Sequence, residues 1–141
     1  MNFELRTYNY INYMNNYTLV RPEHLNHHGN LFGGAMLKWV DEFAWLAASK
    51  EFRGCKLVTV AMNESIFSHQ VPLGSILRFD IRFVRQGNTS VTYNVVVYSD
   101  EPGKDREKKV FANSITFVRI DDKGRKVHLP PREEFIPCSN I

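Results

Sequence analysis

The chain has 141 residues, of which 43% are hydrophobic and 23% are charged, and its formal net charge is +3. This composition is typical of a globular protein and excludes a disordered chain, while the small net charge gives no reason to expect nucleic acid as a partner. No apolar run approaches the roughly 20 residues of a membrane span. The length leads us to expect one domain, residues 1–141. Two distant cysteines and an N-terminus without the apolar core of a secretory signal lead us to expect a reducing, cytoplasmic compartment.

The first half of the chain predicts a strand, a glycine-containing loop and one long helix. The strand covers residues 3–20 and ends before Pro22, because proline cannot donate a hydrogen bond to a sheet. After a loop at residues 23–34, apolar residues recur at helical spacing over residues 35–51. Apolar side chains cover most of the surface of this helix, which predicts that it is buried.

The second half of the chain predicts an antiparallel sheet followed by an irregular tail. Apolar and polar residues alternate with period two, as half-buried strands require. The predicted strands lie at residues 56–64, 77–84, 89–98 and 110–120. One helix on one face of such a sheet is an α+β arrangement. Because one small sheet cannot cover every side of so apolar a helix, we expect a partner subunit or a strongly curved sheet to cover the rest.

Asp41 is an anomaly within the predicted helix, because its neighbours Trp39, Val40, Phe43 and Ala44 are apolar. Burying a carboxylate costs several kcal/mol unless it is hydrogen-bonded or used in chemistry. Two interpretations are open on the pattern alone. Asp41 either faces water at the edge of the helix or serves as a catalytic group.

The loop before the helix is a second candidate for chemistry. Gly33 and Gly34 would leave backbone N–H groups at the positive end of the helix dipole, where they can bind an oxyanion, although a plain helix start capped near Asn30 is an equally good interpretation. The loop also carries three histidines, His24, His27 and His28, but without a fourth ligand at metal-binding spacing we predict no metal site. Sequence motifs of a serine nucleophile and of a phosphate-binding loop are absent.

Residues 22–42 resemble the signature of hotdog-fold acyl-CoA thioesterases, in particular the bacterial broad-range and brain-type acyl-CoA hydrolases. The signature consists of Asn-x-x-Gly, a Gly-Gly pair that opens the helix, and an acidic residue two turns into it. The resemblance extends over about residues 20–121. Supporting likenesses are Leu57 to Asn63, Phe67-x-x-x-Val71-Pro72-x-Gly74 and Arg85-x-Gly87-Asn88-Thr89-Ser90.

The resemblance implies a hotdog fold, in which a long central helix is wrapped by a curved antiparallel sheet, and hydrolysis of fatty acyl-CoA to a fatty acid and CoA. It implies that Asp41 is the general base or nucleophile, that Asn26 orients the water or the thioester, and that Gly33 and Gly34 polarise the thioester carbonyl through their N–H groups. The implied contacts to CoA are Val58, Thr59, Val60, Ala61, Arg85, Gly87, Asn88, Thr89 and Ser90. CoA enters as part of the substrate, so no separate cofactor is expected.

The spacing of the site residues adds a geometric expectation. Asp41 lies eight residues after Gly33, about 12 Å along a helix at its standard rise, so one thioester cannot reach both in one chain. Two antiparallel helices side by side would bring Asp41 of one subunit to the loop of the other. We therefore expect at least a homodimer with a site shared between subunits. The resemblance implies that such dimers can assemble further, into a tetramer or a hexamer.

Several assignments remain open on the sequence. Arg82, Arg85 and Arg106 are candidates to meet the CoA phosphates, although a solvated face explains each equally well. A non-catalytic acyl-CoA-binding protein and a hotdog hydratase or dehydratase are the alternative functions. Release of free thiol from acyl-CoA would separate a thioesterase from both.

Overall fold

The structure is a computed structural model, and it describes residues 13–63 and 65–132. One long helix, α1, and six strands make up the regular structure of this part. The helix covers Gly33–Glu51, and a short 3-10 helix, Pro22–His24, precedes it. The strands are β1 (Tyr13–Leu19), β2 (Lys56–Met62), β3 (Ile66–Phe67), β4 (Ile76–Gln86), β5 (Ser90–Asp100) and β6 (Lys108–Ile120).

The strands form one antiparallel sheet in the order β1-β4-β5-β6-β2, and β3 pairs with the other half of β6. The sheet curls around α1, so the predicted arrangement of one helix wrapped by a curved antiparallel sheet is confirmed. Within the described residues, β2 pairs only with β6 and β1 only with β4. Each therefore has one backbone edge that no described strand covers.

The core lies between α1 and the concave face of the sheet. The inward residues of α1 recur with the helical period. They include the small residues Ala44, Ala47 and Ala48. The inward residues of the strands alternate with period two and include Phe79 and Phe117, which are fully buried. Burial of this many apolar side chains is the main force that holds the helix in the sheet.

The helix begins two residues earlier than the sequence predicted. Phe32 occupies the N-cap position without a side-chain cap, and its carbonyl accepts hydrogen bonds from the N–H groups of Ala35 and Met36. The alternative that Asn30 caps the helix is therefore wrong. Because glycine has low helix propensity, the pattern placed Gly33 and Gly34 in the loop, whereas they form the first turn.

The five predicted strands are present in the predicted order, with ends shifted by at most two residues where both can be compared. Strand β3 was missed, because two residues are too short for a periodic pattern. Residues 3–12 of the first predicted strand and Glu64 lie outside the described residues. Residues 121–132 form no helix or strand, as expected, although Leu129 is buried. In the part that the structure describes, no helix is long and apolar enough to cross a membrane.

Candidate active site

Asp41 lies on the side of α1 that faces β2. The Thr59 hydroxyl donates a hydrogen bond to Asp41 Oδ1 at 2.6 Å. One turn further along the same side, Trp45 Nε1 donates to the carbonyl of Leu57 at 3.1 Å. The Asp41 side chain is half-buried, so it neither sits in the core nor stands free in water. The carboxylate is held in a fixed orientation at the uncovered edge of the sheet.

Strand β2 is irregular at the point where it meets Asp41. Thr59 is opposite Phe117 and Ala61 is opposite Thr116, so Val60 is an extra residue that β6 does not match. Such a bulge re-aims neighbouring side chains and is common beside active sites. Val60 is 52% exposed on this edge.

The loop before α1 is organised by the side chain of Asn26. Its Oδ1 accepts hydrogen bonds from the N–H groups of His28 at 2.9 Å and Asn30 at 3.2 Å. The N–H group of Asn26 donates to the carbonyl of Asn30 at 2.7 Å. The side-chain oxygen is thus occupied in holding the loop, and the side-chain NH₂ remains as the group that can donate to a substrate.

A cavity of about 340 Å³ lies beside this loop. Asn26 and Gly33 line it together with Met36 and Phe67. His69 and Gln70 also line it. A Cβ atom on Gly33 would lie 3.6 Å from Cζ of Phe67, which shows how closely the first turn of α1 approaches this wall.

The first turn of α1 presents donors at the cavity. Among the described residues, the N–H groups of Gly33 and Gly34 donate to no backbone carbonyl, as is usual for the first residues of a helix. A Cβ atom on Gly34 would lie 2.3 Å from Cε1 of Phe32, so a side chain there requires the ring to move. Glycine at this position therefore lets the Phe32 ring pack against the first turn of α1.

Asp41 does not line the cavity beside Asn26. Along β6, Thr59 is opposite Phe117 while Phe67 is opposite Phe111, a separation of about 20 Å in a strand. The structure thus brings Asn26 and Gly33 together and brings Asp41 and Thr59 together, but it keeps the two pairs apart. We refer to these two separate groups of candidate residues as the Asn26 half-site and the Asp41 half-site.

The residues assigned to CoA lie at the same end of the sheet as Asp41. Val118 of β6 has Val58 on one side and Ser90 on the other, so the β2 segment and the turn between β4 and β5 lie level with each other. The C-terminal tail holds this turn, because Asn88 accepts a hydrogen bond from the N–H group of Leu129 and its side chain contacts the ring of His128. Arg85 is exposed beside the turn.

Other candidates have structural partners or lie elsewhere. His24 Nδ1 accepts a hydrogen bond from the N–H group of Arg21, and its ring packs edge-on against Trp39. Arg82 forms an ion pair with Asp80 at 2.8 Å. Within residues 13–63 and 65–132, no group of three His, Cys, Asp or Glu residues could hold a metal. Arg106 lies in the exposed loop between β5 and β6, at the opposite end of β6 from the residues assigned to CoA.

Sequence reasoning missed the partnership between Thr59 and Asp41 and assigned Thr59 to CoA alone. It also missed His69 and Gln70 as cavity-lining residues. Periodicity reports which face of a strand is buried but not which side chain of another element lies opposite. Thr59 meets Asp41 because β2 lies beside α1 in the fold.

One long helix wrapped by a curled antiparallel sheet is the architecture of the hotdog fold. A family model described as the thioesterase superfamily matches residues 28–105. The chain belongs to the thioesterase superfamily.

Two curated relatives differ in how much of their length the chain matches. It is 33% identical over 100 residues to the mouse acyl-coenzyme A thioesterase 11, covering 71% of this chain but only 17% of the mouse protein. It is 31% identical over 117 residues to the acyl-CoA thioester hydrolase YciA of Escherichia coli, covering 80% of this chain and 87% of the relative. The chain therefore spans about a sixth of the mouse protein and most of the bacterial one.

Solved structures share the fold. An acyl-CoA hydrolase of Staphylococcus aureus, in complex with butyryl coenzyme A and coenzyme A, matches with a TM-score of 0.76 and 27% identity, covering 84% of this chain and 72% of that chain. A hexameric thioesterase of Yersinia pestis matches with a TM-score of 0.75 and 26% identity, covering 82% and 93%. The predicted hotdog fold is confirmed.

Proposed function

We propose that this chain is an acyl-CoA thioesterase that hydrolyses a fatty acyl-CoA to a free fatty acid and CoA. The observation that carries the proposal is the Asp41 carboxylate, which Thr59 orients at the free edge of a thioesterase-superfamily fold. A purely binding protein would gain nothing from a carboxylate fixed in this way. Relatives named as acyl-CoA thioester hydrolases support the same reaction.

The residues can divide the reaction between the two half-sites. Asp41 accepts a proton from a water molecule, and the water oxygen attacks the thioester carbonyl carbon. The N–H groups of Gly33 and Gly34 stabilise the oxyanion, a contribution of about 3 kcal/mol for each such donor in other enzymes. The tetrahedral intermediate expels the CoA thiolate, which takes the proton back from Asp41. Direct attack by the carboxylate, followed by hydrolysis of the anhydride, is the other route open to the same residue.

The site is completed by a second subunit in this proposal. Asp41 and Trp45 lie on the side of α1 that contacts β2, and Thr59 of β2 bonds to Asp41 there. An antiparallel copy of the chain that joins at this edge would bring its own Asn26 and Gly33 to Asp41. The exposed apolar residues Trp45, Val60 and Met62 at this edge fit such an interface.

The similar structures support this assignment of residues. Variants of the Staphylococcus aureus hydrolase were solved in which an Asp, an Asn and a Thr are each replaced by Ala. Its Asn and Asp are fifteen residues apart, which is also the spacing of Asn26 and Asp41. Hexameric thioesterases among the similar structures support an assembly of three such dimers.

The proposed function is tested by thiol release from a panel of acyl-CoA esters of graded chain length. In the Asp41→Asn variant we expect kcat to fall by about a hundredfold or more, because the amide keeps the shape but not the basicity of the carboxylate. The neighbouring exposed acid provides a matched control, and Glu42→Gln should keep wild-type activity. Wild-type kcat in a folded Asp41→Asn protein would contradict the assignment, and no thiol release from any ester would contradict the proposed function.

A further inference from the structure

A buried polar side chain that the proposed mechanism does not use lies on the concave face of the sheet. Asn113 of β6 is 6% exposed and faces the core. Its neighbours on the same face of β6 are Phe111 and Ile115, and Val95 lies opposite on β5. All three are fully buried apolar residues.

The hydrogen bonding of Asn113 is incomplete. Its Nδ2 donates to the Ser65 hydroxyl at 2.9 Å, whereas its Oδ1 has no hydrogen-bond partner among the described residues. Buried polar groups are normally paired, as the Tyr93 hydroxyl is with Glu51 at the other end of the core. Turning the amide over would leave its nitrogen unpaired instead. In either orientation one polar atom remains available inside an apolar wall.

This polar pair lies next to the cavity of the Asn26 half-site. Phe67, which lines that cavity, is two residues after Ser65 and packs against Phe111 with ring centroids 4.7 Å apart. Two residues of extended chain span about 7 Å. An acyl chain whose carbonyl lies at the N–H group of Gly33 would pass the ring of Phe67 and then reach Asn113.

We propose that Asn113 and Ser65 form an acyl-chain specificity site, which binds a hydroxyl group carried by the acyl chain several carbons beyond the thioester. A hydroxyl both donates and accepts, so it can pair with the free amide atom in either orientation. A plain alkyl chain offers no such partner and leaves the amide atom unpaired, so only a hydroxylated chain gains a hydrogen bond there. The preferred substrates are therefore hydroxyacyl-CoA esters. This inference rests on the proposed function.

The test uses pairs of acyl-CoA esters of equal length, one ending in a hydroxyl and the other in a methyl group. We expect the wild type to prefer the hydroxylated member in kcat/KM by about tenfold at the one chain length that reaches Asn113. The nearly isosteric Asn113→Leu variant should lose or reverse this preference. The control is Asn94→Leu, the same change on the exposed face of β5, which should keep it.

The outcomes separate the inference from the proposed function. Thiol release without a hydroxyl preference at any length would overturn this inference alone, while no thiol release from either member would overturn the proposed function and the inference with it. A thermal melt distinguishes a structural role. We expect Asn113→Leu to unfold at the same or a higher temperature, because it removes an unpaired buried atom. A lower melting temperature with equal loss on both substrates would show that Asn113 is a structural residue, and would also overturn the inference.

Discussion

The hydrogen bond between Thr59 and Asp41 joins a strand residue to the carboxylate on α1. Asp41 could be singled out because a carboxylate interrupts an apolar helical pattern. Thr59 could not, because threonine is common in strands and its partner lies on another element. At the scale of single residues, the sequence therefore indicates the proposed reactive group but not the group that orients it.

Replacing Thr59 by Val tests this orienting role, since Val has the same shape without the hydroxyl. We expect kcat to fall by about tenfold to a hundredfold, because Asp41 keeps its charge but loses its fixed position. The folded state should be little affected, since Thr59 is exposed in the single chain. Steady-state kinetics of Thr59→Val and Thr59→Ser check this, and the Ser variant should retain most activity. Equal losses in both would show that the hydroxyl is not what matters.

At the scale of elements, the long strands and α1 followed from periodicity, whereas β3 and the tail did not. Strand β3 has only two residues, which are too few to show a period, and the tail forms neither a helix nor a strand. The tail nevertheless has a definite place, because Arg132 donates to the carboxylate of Glu51 at the end of α1 and stacks over the ring of Phe83. The same carboxylate accepts the hydroxyl of Tyr93. This cluster fixes the last turn of the helix to the sheet.

Tyr93 makes the stability of this cluster dependent on pH. Burial first, and then the negative charge of Glu51, raise the pKa of the Tyr93 hydroxyl far above its ordinary value, although Arg132 opposes the shift. The folded chain keeps this proton after the unfolded chain has released it near pH 10. The contribution of Tyr93 to the free energy of unfolding is therefore fully present below about pH 10. It is lost as pH rises further, by about 1.4 kcal/mol per pH unit.

Urea unfolding between neutral pH and strongly alkaline pH measures this effect. Above about pH 10, we expect the free energy of unfolding of the wild type to fall more steeply than that of Tyr93→Phe. The difference in slope should be about 1.4 kcal/mol per pH unit, which corresponds to one proton. The variant should be less stable than the wild type at neutral pH, because Glu51 loses a hydrogen bond. Parallel curves for the two proteins would contradict the assigned pKa shift of Tyr93.

At the scale of the whole molecule, the apolar surface of α1 predicted a partner, and the structure leaves the edge beside Trp45 and β2 uncovered within the described residues. Val60 at the bulge of β2 is the sharpest place to test this interface. We expect Val60→Lys to shift sedimentation toward the monomer and to remove activity, because a charge there would be buried without a partner. Val84, at a bulge of the inner strand β4, provides the matched control. Val84→Lys should sediment as the wild type does, and a dimeric, active Val60→Lys protein would place the interface elsewhere.

The shared site is the central claim, and subunit complementation tests it most directly. Asn26→Ala and Asp41→Asn proteins, each nearly inactive alone, are mixed under conditions that exchange subunits, and thiol release is measured. Because each mixed dimer would contain one intact site and one doubly damaged site, random exchange should restore about a quarter of wild-type activity.

Mixing Asp41→Asn with Thr59→Val provides the control, since both changes fall in the same half-site and no gain over the average of the two proteins is expected. If subunits demonstrably exchange and the first mixture regains about a quarter of the activity while the control does not, the site is shared as proposed. If subunits exchange and the first mixture stays at the level of the single variants, Asp41 works with donors of its own chain and the account is wrong.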